Sequence, residues 1–125
     1  MSGRKITYLT DVALITCIVQ RGAGDTIVRA AQDAGAQGAT VHYAKGGGIR
    51  ERLGLLGVAV EVEKEVVNII VSAEQKELVF NTIYLAGQLD TPGMGIAFIT
   101  PLEKAATYVP QDVLDRLGAE AKGAS

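Results

Sequence analysis

Residues Val58 to Gly87 read VAVEVEKEVVNIIVSAEQKELVFNTIYLAG, a β-branched run that passes within a few residues into a helical stripe. Val58 to Val71 is dense in valine and isoleucine, which suit a packed, pleated surface, so the pattern predicts a long strand. Ser72 followed by Gln75 has the spacing of a capping box, and Leu78, Val79, Ile83 and Ala86 recur at helical intervals up to a stop at Gly87. A strand feeding a capped helix is one β–α step.

The N-terminal half repeats that step. Asp11 to Val19, DVALITCIV, is an apolar run of strand length. After the turn Arg21-Gly22-Ala23-Gly24, Asp25 stands as a candidate cap for a helix with Ile27, Val28, Ala31 and Ala34 on one face and Gly35 as its stop. Ala39 to Ala44 reads as a strand ending at Gly46-Gly47-Gly48. Between Gly46 and Gly57 the chain has five glycines, two arginines and three leucines, the composition of a projecting loop. Asp90-Thr91-Pro92-Gly93 is a turn before a strand from Met94 to Thr100, which Pro101 is expected to close. The order is βαββαβ, so the expected class is α+β with a ferredoxin-like domain. Residues 1–10 are expected to be an N-terminal extension and residues 11–109 the domain. Residues 110–125 are expected to form a short helix from Pro110 through Leu117 and a frayed tail from Gly118 to Ser125.

Composition narrows the function classes. The chain has 125 residues, 48% hydrophobic and 21% charged, with net charge -2 and pI near 5.3. That is a foldable single domain with no overall attraction for nucleic acid. The basic pair Arg50 and Arg52 is interrupted by Glu51, so no nucleic-acid partner is expected. Cys17 is a lone cysteine, read as a small buried hydrophobe. Met1 to Thr10 lacks a signal-length apolar run and no stretch reaches membrane-span length, so a cytoplasmic location is expected.

The strand faces add an expectation about assembly. Val12, Leu14 and Ile18 alternate with Ala13, Ile15, Cys17 and Val19, and Val67, Ile69 and Val71 oppose Val66 and Ile70. Both faces of both strands are therefore apolar, whereas helices cover only one face of a two-layer domain. A lone subunit would expose a large apolar sheet, which implies an oligomer with its sheets packed inward. Ile15 and Val67 are taken as residues of that assembly face.

Three features are candidates for chemistry. The triplet Gly46, Gly47 and Gly48 suits either a nest of backbone N–H groups for an anion or a simple hinge. Gly93-Met94-Gly95 suits a phosphate-facing backbone or a tight turn. Lys64 lies in register with Val58, Val60, Val62 and Val66, where an ammonium needs either a rim or an anion. His42, the single histidine, reads as structural. No nucleophile motif, zinc pattern or Walker-type loop occurs, so no catalytic residue and no metal site are expected.

Taken together, these residues resemble the PII signal-transduction proteins. Gly38-Ala39-Thr40-Val41 and Lys45-Gly46-Gly47-Gly48 are similar to that family's G-x-T-V…K-G-x-G signature at the base of the T-loop. Pro92-Gly93-Met94-Gly95-Ile96-Ala97-Phe98-Ile99-Thr100-Pro101-Leu102-Glu103 is similar to its B-loop and last strand. Lys64 matches a family lysine at the far base of the T-loop. The resemblance covers roughly Ile15 to Thr107 and implies a homotrimer binding an adenine nucleotide (ATP, ADP or AMP) or a related anion between subunits. It places Thr40 near the adenine, brings Gly46 and Gly48 close to the ligand, with Gly47 and Arg50 beside them, and sets Gly93 and Gly95, flanking Met94, at the phosphates.

The chain also departs from the family pattern. Met94 and Ile96 replace the B-loop aspartate and lysine, and the arginine pair after the last strand is missing from Ala105 to Val109, which argues against tight ATP binding. The loop between Gly46 and Gly57 holds no Tyr, Ser or Thr, so uridylylation or phosphorylation has no acceptor there. Arg50 stands where a magnesium-organising glutamine is usual, and arginine favours an anion. The short loop Arg50 to Gly57 is similar to a divergent branch associated with membrane transport proteins. This implies a transporter partner regulated through the T-loop, with recruitment to the inner membrane face. A trimer of the divalent-cation-tolerance type and a small ferredoxin-like enzyme are the alternatives.

Overall fold

The computed structural model describes residues 6–46, 62–108, 112 and 121–124. The elements in chain order are β1 (Ile6–Leu9), β2 (Val12–Gln20), α1 (Gly24–Asp33), β3 (Thr40–Gly46), β4 (Val62–Ser72), α2 (Lys76–Ala86), β5 (Gly95–Leu102), β6 (Ala105–Ala106) and β7 (Ala121–Ala124). From β2 to β5 they follow βαββαβ, and the four strands form an antiparallel sheet in the order β3-β4-β2-β5. This is the ferredoxin-like α+β arrangement that the sequence predicts.

Strand alternation decides where the core lies. Ala13, Ile15, Cys17 and Val19 of β2 pair with Val71, Ile69, Val67 and Glu65 of β4, and these residues face the helices. Ile15, Cys17, Val67 and Ile69 are fully buried with Ile27 and Ala31 of α1 and Val79 and Ile83 of α2. Ile15 and Val67 thus belong to the subunit's own core and not to an assembly face, which corrects that expectation. The opposite sheet face carries Leu14, Thr16 and Ile18, Val66, Asn68 and Ile70, and Ile96, Phe98 and Thr100. Ile70, Ile96 and Phe98 are 52%, 57% and 42% exposed, so an apolar face does remain open in the single chain. At its centre the Thr16 hydroxyl donates to Asn68 Oδ1 at 2.9 Å.

Several local expectations change for physical reasons. Asp25 does not cap α1: the backbone N–H of Gly24 donates to Glu65 Oε1 at 2.7 Å, so the cap comes from β4. Ser72 does not form the expected capping box: α2 begins at Lys76 with Gln75 at its N-cap, and Ser72 Oγ, at the end of β4, accepts from the N–H of Gln75 at 3.2 Å within the turn that precedes the helix. On α2, Leu78 is 60% exposed while Val79 and Ile83 are buried, so the inward stripe is narrower than its spacing predicts. Pro101 does not end β5. It pairs with Ala13 on an edge strand, where a missing N–H costs the sheet little.

The N-terminal residues Ile6–Leu9 are a strand, flanked antiparallel by β6 and β7 in a small second sheet. Ala121–Ala124 are therefore paired and not a frayed tail. The helix expected from Pro110 through Leu117, and the loop beyond Gly46 up to Glu61, lie outside the described residues apart from Asp112. Among the described residues, no helix is long and apolar enough to cross a membrane.

Candidate functional site

Four strand ends meet at one edge of the sheet. Gly46 pairs with Val62, Lys64 pairs with both Ala44 and Gln20, and Val19 pairs with Gly95. The end of β3, the start of β4, the end of β2 and the start of β5 consequently lie side by side. Along β4, Lys64 shares the open sheet face with Val66, and Gln20 shares it on β2.

The turn before β5 is built by its sequence. Pro92 and Gly93 occupy the two central positions, the N–H of Met94 donates to Thr91 O at 3.2 Å, and Gly93 takes φ 84. Proline followed by a left-handed glycine is the chemistry of a type II turn. Gln20 Nε2 donates to Gly93 O at 2.8 Å and ties this turn to the end of β2. Gly95, at φ 142, lies so close to β2 that a Cβ would collide with the Ile18 carbonyl oxygen. Its lack of a side chain is thus first a packing requirement.

The helix-side face of the same end holds a different set of groups. Arg21, Tyr43, Ala44, Lys45 and Glu63 line a cleft of about 360 Å³. Arg21 pairs with Glu63, and its guanidinium lies over the Tyr43 ring at 5.7 Å from the centroid. The Glu63 carboxylate, by hydrogen bond and by charge, holds Arg21 above its ordinary range. Glu65, next along this face, is buried and spent on Gly24. Only one part of this cleft has a local sequence signal: in Glu63-Lys64-Glu65, strict alternation sends both carboxylates to the face opposite Lys64. Arg21 was legible only as part of a turn.

Of the candidate binding residues, Gly46, Lys64, Gly93, Met94 and Gly95 lie at this end of the sheet, with Gly46 on one edge strand and Gly95 on the other, roughly 14 Å apart across three strand spacings. Thr40 does not. It begins β3 opposite Asn68, six positions from Gly46, roughly 20 Å along a strand. Gly47, Gly48 and Arg50 lie outside the described residues. His42 is exposed on the open face opposite Val66, away from the turn before β5. Among the described residues, no group of three His, Cys, Asp or Glu side chains is placed to hold a metal ion.

The model of the family described as nitrogen regulatory protein P-II matches residues 12–111. Among solved structures, the chain is similar to the PII protein of Arabidopsis thaliana, in a crystal structure described as bound to citrate. The TM-score is 0.60 and the identity 24%, over 75% of this chain and 79% of that one, a likeness of fold. No curated protein matches the chain.

Proposed function

This chain belongs to the nitrogen regulatory protein P-II family, and from that premise we propose that it is a non-catalytic signalling trimer. In this reading it binds an adenine nucleotide or related small anion between subunits and controls a membrane transport protein through the T-loop. P-II proteins are signal-transduction regulators of partner proteins, and the family assembles as trimers. The observation that carries the reading is that Lys64, Gly46 and the Gly93–Gly95 turn all lie at the same end of the sheet, with Lys64 on a central strand between them. A cation and side-chain-free backbone are what a phosphate or carboxylate needs at close range. The citrate in the plant protein's crystal structure supports an anionic effector.

Assembly supports the same reading. Leu14, Ile18 and Val66 are half-buried beside the exposed Ile70, Ile96 and Phe98, forming an apolar sheet face that a trimer would cover. Thr40, distant from the turn in its own chain, would then serve a neighbouring subunit's cleft. The T-loop leucines Leu53, Leu55 and Leu56 would carry the contact with the transporter in the cytoplasm, at the inner membrane face.

Calorimetry with ATP, ADP, AMP, cyclic nucleotides, 2-oxoglutarate and bicarbonate, together with light scattering, tests the proposal. Three chains per particle and at least one tight nucleotide are expected. A stable monomer overturns the assembly, and thermal shifts with divalent cations but with none of these ligands favour the cation-tolerance alternative. Turnover that is lost on changing one polar residue would indicate an enzyme.

A further inference from the structure

We propose that the cleft lined by Arg21, Tyr43 and Lys45 is a second binding site, for a small multiply charged oxyanion, and that Glu63 is its built-in competitor. The site is distinct from the one described above because of strand alternation. Tyr43, Lys45 and Glu63 project to the helix side of the sheet, whereas Lys64 and Gln20 project to the other face. The inference does not depend on what Lys64 and the turn before β5 bind.

The lining defines the ligand. Two cations and one carboxylate leave a net positive charge. Lys45 forms no ion pair with any described residue, and Arg21 engages Glu63 through a single nitrogen. The remaining guanidinium donors present a fork that matches carboxylate or phosphate oxygens. Tyr43, 71% exposed, supplies a flat wall under the guanidinium and limits its orientations. A volume of about 360 Å³ is at the low end for ligand sites, so the occupant is a small metabolite-sized anion and not a long chain.

Glu63 makes the site self-regulating. Its side chain and that of Arg21 are 55% and 64% exposed, so their ion pair is screened and exchangeable. An incoming oxyanion replaces the Glu63 carboxylate on Arg21 and frees Glu63, at the start of β4, to turn outward. Removing the Glu63 charge should therefore tighten binding, the opposite of what deleting a ligand contact does.

Titration calorimetry of the full chain with citrate and with inorganic phosphate tests this, the two arms separating a carboxylate site from a phosphate site. Glu63→Gln is expected to bind the preferred anion roughly 3- to 10-fold more tightly than the wild type, the scale of removing one like charge at close range near a surface. Arg21→Ala should abolish binding, Arg21→Lys should recover only part of it, and Lys45→Ala should weaken it. Added salt should weaken binding in all of them. Repeating the titrations in a Lys64→Ala background, which removes the cation of the other face, should show the same dependence on Arg21 and Glu63. If Glu63→Gln binds neither anion at millimolar concentration, or binds no more tightly than the wild type, the proposal is overturned. Loss of binding in Lys64→Ala but not in Arg21→Ala would place the anion on the other face and equally overturn it. Both exposed side chains can be changed without opening the core, so unfolding does not confuse the outcome.

Discussion

Glu65 of β4 accepts the backbone N–H of Gly24 at 2.7 Å, so the first helix is capped by a strand 41 positions further along the chain. Glu65 is 7% exposed and faces the helices beside Val19, and the hydrogen bond to Gly24 is what makes a carboxylate acceptable there. Glu65→Ala should lower stability by about 1–3 kcal/mol, by leaving a buried helix N–H unpaired. Glu65→Gln, which retains an acceptor oxygen, should lose less. Gly24→Ala should also destabilise, although alanine is the better helix former, because its Cβ would collide with Glu65 Oε1. Urea midpoints of the three variants check the ranking.

Charged substitutions should separate the two sheet faces. Ile15 is fully buried in the subunit core, so Ile15→Asp should unfold the chain. Phe98→Asp and Ile70→Asp, on the open face, should leave the circular dichroism of the folded chain intact while reducing the particle mass in light scattering. A particle mass unchanged in both open-face variants would mean that this face is not the assembly surface.

Cys17 links stability to alkaline pH. Burial raises its pKa from 9.0 to about 11. The fold therefore favours the neutral thiol, while the unfolded chain ionises at the ordinary value. That contribution is fully present below pH 9 and is lost as pH rises through about 11. Cys17→Val should flatten this part of the urea-midpoint profile relative to the wild type. In the folded wild type the thiol should also resist alkylation, being fully buried.

The βαββαβ order was legible because each β-branched run and each amphipathic stripe is bounded by turn residues, and local and global preferences agree. Which face of β2 and β4 meets the helices was not legible, since Leu14 and Ile15 are equally apolar and only the packing of Ile27, Val79 and Ile83 chooses between them. The long-range cap escaped for a related reason: Asp25 is adjacent to the helix start, while Glu65 reaches it only through the sheet register. Of the site, the glycines and Lys64 were visible as residue types. The cleft of Arg21, Tyr43 and Glu63 depends on cross-strand pairing that no local window contains.

The glycines of the turn before β5 should respond differently to substitution, and this bears on how the effector site is tested. Gly93 has open space around the position of a Cβ, so Gly93→Ala incurs only the strain of φ 84, of order 1 kcal/mol. Gly95→Ala must push β5 away from the Ile18 carbonyl, and loss of ligand binding there would not distinguish a ligand contact from a damaged sheet. Gln20 provides the cleaner probe. Its side chain is exposed and holds Gly93 O at 2.8 Å, so Gln20→Ala should release the turn without disturbing the core. If the turn carries the effector's charged group, Gln20→Ala should weaken nucleotide binding several-fold with little change in melting temperature. Lys64→Ala should weaken it further, and Gln20→Glu, which removes the donor and adds a negative charge, should be the worst of the three. Calorimetry on these variants, each with a thermal melt as control, checks the order. Nucleotide affinity that is the same in all three would remove Lys64 and the turn before β5 from the effector site.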